Sequence, residues 1–283
     1  MPGKVSRSFS IAVQGGRLFP PKMRYRFMTF NIAHARGGSP VHQSLRSGDR
    51  LRANLLKIAR LITRLGVDIV GLQEIDQDSR WSGSFDHLAF LREHTGLAHG
   101  VYGLTNKRTG RFHLNYGNAF LSRFPIHHHE SVSFGRGAVG DKGFVFAEID
   151  TPSGRLPMLN VHLHHRSRPA RLRQVIKLMY FLDEQRKHRK ARWRTGPFIC
   201  GDLNNPSAQP DATAVLLGYL EQFDNCTLLP KGRAPHTFPA LWPARALDYI
   251  YLPGACTGAT SMVVRSFLSD HRPVLAEFNL TPQ

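Results

Sequence analysis

Two kinds of hydrophobic pattern divide the chain. Leu51, Leu55, Ile58, Ile62 and Leu65 recur at helical spacing, which predicts an amphipathic helix stopped by Gly66. Leu172, Val175, Ile176, Met179 and Leu182 form a second stripe, opened by Pro169, with Arg171, Arg173 and Lys177 assigned to the other faces. A third helix is predicted over Phe85–His94, ending before Gly96. Short β-like runs lie around these helices: "RFMTF", "VDIVGL", "GNAFLS", "GFVFAEI", "RLPMLNV", "PFIC", "LDYIYL", "MVV" and "VLAEF". Helices separate some of the runs and turns alone separate others. That mixture predicts partly antiparallel sheets packed together, with helices outside.

The same pattern sets the domain organisation. No repeat and no Pro/Gly/Ser linker interrupts the chain after residue 25, so residues 25–283 read as one domain. Residues 1–24 read as a basic, flexible tail. Its apolar run, Ile11-Ala12-Val13, is too short for a signal-peptide core, and no run approaches the roughly 18 apolar residues of a membrane span. Three cysteines outside any CxxC pair give no disulfide framework, and the expectation is a cytoplasmic monomer.

Charge sharpens the picture. Lys and Arg number 38 against 20 Asp and Glu, a net of +18. The tail to Arg26 holds six basic residues and no acid, and Arg166–Arg194 holds eleven against two. Concentrated positive charge predicts an anionic partner, with nucleic acid first and a peripheral membrane contact as the alternative. The basic stretch from Arg168 to Arg194 would follow a phosphate backbone, unless it is simply a solvated face.

Polar residues collect where the β-like runs begin and end. Asn31 closes "RFMTF", Glu74 follows "VDIVGLQ", His162 closes "LPMLNV", and Asp202 follows "PFICG" with Asn204 two further on. Asp248 opens "YIYL", and Asp270-His271 precede "VLAEF". In a mixed sheet, the ends of some strands and the starts of others share one edge. Singly, Asn31 reads as a turn cap and Asp202 with Asn204 as an Asx-turn. Together they form a hard-oxygen set suited to Mg²⁺ or Mn²⁺ rather than zinc, with an Asp to deprotonate water and an Asp–His pair to hold a charged imidazole. Metal, base and cationic donors are the ingredients of phosphoester hydrolysis.

The motifs "TFNI", "LQE", "GNAFLSRFPI", "NVHL", "GDLNN", "LDYIY" and "SDHRPV" occur in an order that resembles the endonuclease/exonuclease/phosphatase superfamily, from about residue 25 to the end. That superfamily includes pancreatic-type deoxyribonuclease, abasic endonucleases, inositol-polyphosphate 5-phosphatases and neutral sphingomyelinases. The chain is most similar to its small bacterial members. The resemblance implies a four-layer α/β sandwich and Mg²⁺-dependent hydrolysis, with Mn²⁺ as a substitute. It implies that Glu74 is the principal metal ligand, assisted by Asn31 and Asp270. Asp202 would activate water, Asn204 would orient it or the phosphate, His162 and His271 would donate to phosphoryl oxygens, and Asp248 would hold His271 on an exposed rim. Lys142, Asn118 and Trp242 are the candidate substrate contacts. The sequence departs from the pattern at His164, where many members have Asp, at Lys142, where relatives often have Arg, and at Arg245, displaced by Ala246.

His127-His128-His129 is expected in an exposed connection, without a functional role, and Phe238 and Leu241 with Trp242 either wall the pocket or pack in the core. The expected activity is a phosphodiesterase or nuclease acting on nucleic acid. A phospholipid-headgroup or small-molecule phosphoesterase is the alternative, and an idle basic binding module the third reading.

Overall fold

The computed structural model describes residues 13–14, 17–18, 23–135, 140–206, 211–231 and 235–281. Most of the basic tail therefore lies outside the described residues. Within it, the two-residue strands β1 (Val13–Gln14) and β2 (Arg17–Leu18) pair antiparallel.

Helix α1 (Gly48–Arg64) forms where the first stripe predicts it. The Ser47 hydroxyl accepts a hydrogen bond from the Arg50 backbone N–H, Leu51, Leu55, Ile58 and Ile62 are buried, and Gly66 follows at φ +59°. Helix α2 (His87–Thr95) starts at an Asp86 cap and ends on Gly96 at φ +72°. Helix α3 (Arg168–Arg189) corrects the second stripe. Its buried face is Arg171, Val175, Leu178, Leu182 and Gln185, whereas Ile176 is 46% exposed. The reason is an ion pair that a hydrophobic count does not see. Arg171 donates from Nε to Asp211 Oδ2 at 3.0 Å, and Asp211 caps α4 (Ala212–Glu221), which packs beside α3. Apolar residues run almost all round α4, Val215 at 39% exposure as well as the buried Leu216 and Leu220, so no single stripe marks it in the sequence.

Two six-stranded sheets lie between the helices. One runs β13 (Thr257–Val263), β14 (Val274–Leu280), β3 (Met23–Asn31), β4 (Ile69–Ser79), β6 (Leu114–Ser122), β5 (His99–Arg108). The other runs β11 (Cys226–Leu229), β12 (Asp248–Pro253), β10 (Phe198–Asp202), β9 (Gly154–His162), β8 (Gly143–Thr151), β7 (Ile126–Ser133). They face each other across Phe27, Phe120, Met158, Phe198 and Phe278. Helices α1 and α2 cover the first sheet and α3 and α4 the second, giving the four layers expected. Strand β7 corrects one expectation. His128 and His129 pair with β8 at a sheet edge, His127 lies in the register shift before them, and His128 Nε2 contacts Glu130 Oε1 at 2.8 Å.

A polar tie crosses the apolar interior directly below the strand ends. Asn160 donates to the Leu72 and Ala119 carbonyls, each at 2.9 Å, and accepts from Gln73 Nε2 at 2.6 Å. Each buried donor has its acceptor, so the tie fixes the two sheets against each other where the site is built.

Candidate active site

The sheets place the polar strand ends side by side. Parallel β9 and β10 bring His162 opposite Asp202, and antiparallel β10 and β12 bring Asp202 opposite Asp248. In the other sheet, parallel β3 and β4 pair Asn31 with Gln73, one residue before Glu74. Two backbone features complete the arrangement. Gly201 sits at φ +143°, and a Cβ there would fall 1.8 Å from the Val161 carbonyl oxygen, so only glycine lets the chain reach Asp202 along this line. Glu74 lies at φ +51° within a register shift of β4, an uncommon conformation for a non-glycine residue. The bulge turns its side chain out of the strand and into the cleft.

That cleft has a volume of about 470 Å³, and Asn31, Glu74, Lys142, His162, Asp202, Asn204, Asp270 and His271 line it. A slightly larger recess of about 490 Å³ lies at the far end of α3, between Trp193 and Phe223. It contains none of these residues, so its size carries no functional weight.

Asp202 is the centre of the site. Asn31 Nδ2 donates to its Oδ2 at 3.0 Å, and the Asn204 backbone N–H donates to its Oδ1 at 2.9 Å. His162 Nε2 lies 3.4 Å and His271 Nε2 3.7 Å from Oδ2. Burial lifts the Asp202 pKa well above the usual carboxylate range against the pull of His271, and Asp248 adds to the rise. His271 Nδ1 contacts Asp248 Oδ2 at 2.8 Å. Burial disfavours the His271 imidazolium, but Asp248 and then Asp202 outweigh it and raise the pKa to about 10. His162 moves the other way: burial, then Lys142, hold it well below the usual imidazole range. The two imidazoles therefore differ, His271 charged and His162 neutral, and the His162–Asp202 contact is not an ion pair.

Asp202, Asp248 and His271 bring donor atoms within 4.8 Å of one another, close enough to resemble a metal cluster. A protonated His271 between two carboxylates already supplies the positive charge there. The hard-oxygen residues Asn31, Glu74 and Asp270 also line the cleft. Glu74 Oε1 accepts from Lys142 Nζ at 3.2 Å, and burial is overcome by Lys142 and then His34 to hold Glu74 well below the usual carboxylate range. Asn31 turns its amide to Asp202, while Asp270 pairs with Arg36 and accepts from Ser269 Oγ at 3.2 Å. The structure brings Asn31, Glu74 and Asp270 to one cleft but turns each toward a different partner.

Three expectations are corrected. His271 is 6% exposed, packed 4.8 Å from the Phe238 ring, and is not an exposed rim residue. Asn118 is buried and donates to the Gly143 carbonyl at 2.8 Å, a sheet-to-sheet contact beneath the cleft and not at its surface. Trp242 is 78% exposed and lies outside the cleft lining, because the antiparallel bridge between Phe238 and Arg245 turns those two residues inward instead. His164 Nδ1 accepts from the Arg166 and Ser167 backbones, each at 3.1 Å, and serves the turn into α3. Lys142, by contrast, does enter the site, with Nζ 3.4 Å from His162 Nδ1.

The sequence reading missed His34, Arg36 and Asp76. His34 Nδ1 contacts Asp76 Oδ2 at 2.8 Å and its Nε2 lies 3.7 Å from Glu74 Oε2. Burial disfavours the charged ring, but Asp76 prevails and raises its pKa. The available signal was position: His34 stands three residues after Asn31, and Asp76 two after Glu74.

The sequence pattern of the Endonuclease/Exonuclease/phosphatase family matches residues 28–271, and every motif of the cleft falls within or at the end of that range. The chain belongs to the endonuclease/exonuclease/phosphatase family. Uncharacterized protein YbhP of Escherichia coli (strain K12) is 30% identical over 172 residues, covering 59% of this chain and 64% of that relative. Less than two thirds of YbhP is thus spanned. An endonuclease/exonuclease/phosphatase from Beutenbergia cavernae DSM 12333 superposes with a TM-score of 0.67 at 21% identity, over 91% of this chain and 72% of its own. Sphingomyelinase C from Streptomyces griseocarneus gives 0.63 at 19%, over 90% and 99%. At such identities these two structures share the fold of the family, nothing finer.

Within this family fold the Asp248–His271 pair makes a prediction. Asp248→Asn keeps an acceptor for Nδ1–H and removes the charge, so the His271 pKa should fall by at least about one unit. The sign is fixed by the shift. A pKa raised from 6.5 to about 10 on folding contributes stability that is fully present below about 6.5 and is lost as pH rises through about 10. Titration of the His271 ring by NMR, with thermal melts across that range, measures both. An unshifted ring in the variant would show that Asp248 does not set the charge.

Proposed function

We propose that the protein is a divalent-metal-dependent phosphodiesterase that cleaves nucleic acid, with Asp202 as the base. The observation that carries this reading is the placement of Asp202: a buried carboxylate of raised pKa between two imidazoles, facing an ionised Glu74 across a cleft that a phosphodiester can enter. A base titrating nearer neutrality accepts a proton from water at ordinary pH. The charged His271 and Lys142 stand where negative charge would grow on phosphoryl oxygens. Asn204, whose Nδ2 is taken by the Leu163 carbonyl at 3.0 Å, holds Asp202 through its backbone N–H.

The residues present suit a hard cation. Glu74 is ionised, faces the cleft, and has a flexible ammonium, Lys142 Nζ, as its cationic neighbour. Glu74 would hold the ion, with Asn31 and Asp270 lining the same cleft. When bound, Mg²⁺ would polarise a phosphoryl oxygen and offset its charge. Nucleic acid is favoured over a lipid headgroup by the net charge of +18 and by Arg36, Arg166 and Arg245 around the cleft mouth.

The test is hydrolysis of bis-p-nitrophenyl phosphate against p-nitrophenyl phosphate with Mg²⁺, followed by plasmid DNA, RNA and phospholipid panels. Diester cleavage above monoester cleavage, extending to a nucleic acid, is the expected result. Activity confined to phospholipid would overturn the substrate assignment and leave the chemistry standing.

A further inference from the structure

On its Glu74 side the catalytic cleft opens into a second recess of about 350 Å³. Trp81 joins that recess to a third, of about 410 Å³, which ends at Phe112. The chemistry above uses nothing beyond Glu74 and Lys142 in this direction, yet the walls are highly organised. The Trp81 ring centroid lies 5.0 Å from Tyr116, 5.1 Å from His34 and 5.5 Å from His42. The indole is fixed in place, since its Nε1–H donates to Asp76 Oδ1 at 2.9 Å. Gln43 lines the same recess at 3% exposure. A carboxamide in the wall of a recess offers both a donor and an acceptor to a ligand. Further out, Phe112 is 59% exposed with the Arg80 guanidinium 4.8 Å from its ring centroid, and Arg108 lines the same recess.

The charges decide what such an aromatic run can take. A box of rings alone would suit a quaternary ammonium headgroup. Here Arg80 and Arg108 line the outer end with no carboxylate among its lining residues, which disfavours a cation there and suits phosphates, while Arg36 and Lys142 share the inner end with Glu74. Rings interleaved with cations, beside the Gln43 amide, fit an unpaired polynucleotide whose bases stack while its phosphates meet the cations. We propose that these recesses form a binding track for a single nucleic-acid strand, with Trp81 and Phe112 as stacking platforms and Gln43 contacting a base edge. The track rests on the proposed nuclease reading, and it places the strand on the Trp81 side of the cleft instead of along the basic helix α3.

The test compares kcat/KM for a single-stranded octanucleotide with that for a dinucleotide, in the Mg²⁺-loaded full chain, alongside bis-p-nitrophenyl phosphate. Taking the ratio within each protein cancels differences in active fraction. The wild type should prefer the octamer, and Phe112→Ala and Trp81→Leu should each lower that preference about tenfold, chiefly through KM. Phe112 is exposed, so its variant keeps the test valid should Trp81→Leu fold poorly. An absent length preference in a wild type that does cleave oligonucleotides, or one that survives both substitutions, overturns the track and leaves the nuclease reading intact. Hydrolysis of bis-p-nitrophenyl phosphate or phospholipid vesicles with no cleavage of either oligonucleotide overturns the nuclease reading, and the track with it.

Discussion

Asp202→Asn is expected to lower turnover by about two orders of magnitude or more on any diester the protein accepts, and to leave the fold intact. The substitution keeps size and shape and removes the group that would take the proton from water. One of its two hydrogen bonds survives, since an Asn oxygen still accepts from the Asn204 backbone N–H, which reaches Asp202 Oδ1 at 2.9 Å, while the bond from Asn31 Nδ2 to Oδ2 is lost. Stability should even improve toward alkaline pH. Asp202 has a raised folded pKa, so its favourable contribution is present in acid and is lost as pH rises through that pKa, where an ionised carboxylate is buried beside Asp248. The variant has no charge to bury and escapes that loss. The checks are steady-state kinetics on bis-p-nitrophenyl phosphate and thermal melts of both proteins at neutral and alkaline pH. Turnover equal to wild type would remove Asp202 from the mechanism.

The sequence announced this centre because of where the fold puts chemistry. Strand interiors are apolar and alternate, so a carboxylate, imidazole or amide just past the last buried position stands out, and Asn31, Glu74, His162, Asp202, Asp248 and His271 all do. Mixed strand directions then gather ends and starts at one edge. What stayed hidden depends on long-range pairing. His34 and Asp76 are 42 residues apart and look like loop and strand filler until the β4 bulge brings them together. Arg171 looked solvated because its partner, Asp211, is 40 residues away. Trp242 was the conspicuous aromatic of its loop, but the bridge between Phe238 and Arg245, which no local pattern encodes, decides which side chains face the cleft. Asn118 sits at a strand position that could face a ligand or the opposite sheet, and only the packing of the two sheets resolves which.

Glu74→Gln carries the other large effect and separates the metal from the rest of the machinery. Hydrolysis by the wild type should stop in EDTA and return with Mg²⁺ or Mn²⁺. In the variant, turnover should fall about a hundredfold, and the half-saturating Mg²⁺ concentration should rise by at least about tenfold, because one anionic oxygen is lost from a hard-cation site. The substitution is nearly isosteric, and its side chain still leaves β4 through the same bulge at φ +51°, so the cleft keeps its shape. What changes is charge: Lys142 and His34 lose the carboxylate that now faces both of them. Binding can be read without turnover. A ligand that binds the folded state alone raises its stability in proportion to the logarithm of concentration over Kd. Mg²⁺ should therefore raise the melting temperature of the wild type and leave that of Glu74→Gln nearly unmoved, while Asp202→Asn should retain the effect. That contrast distinguishes a residue that holds the ion from one that uses the water beside it. Full hydrolysis in EDTA, or an unchanged Mg²⁺-dependent melt in Glu74→Gln, would remove the metal from Glu74 and leave that carboxylate as the counter-ion of Lys142.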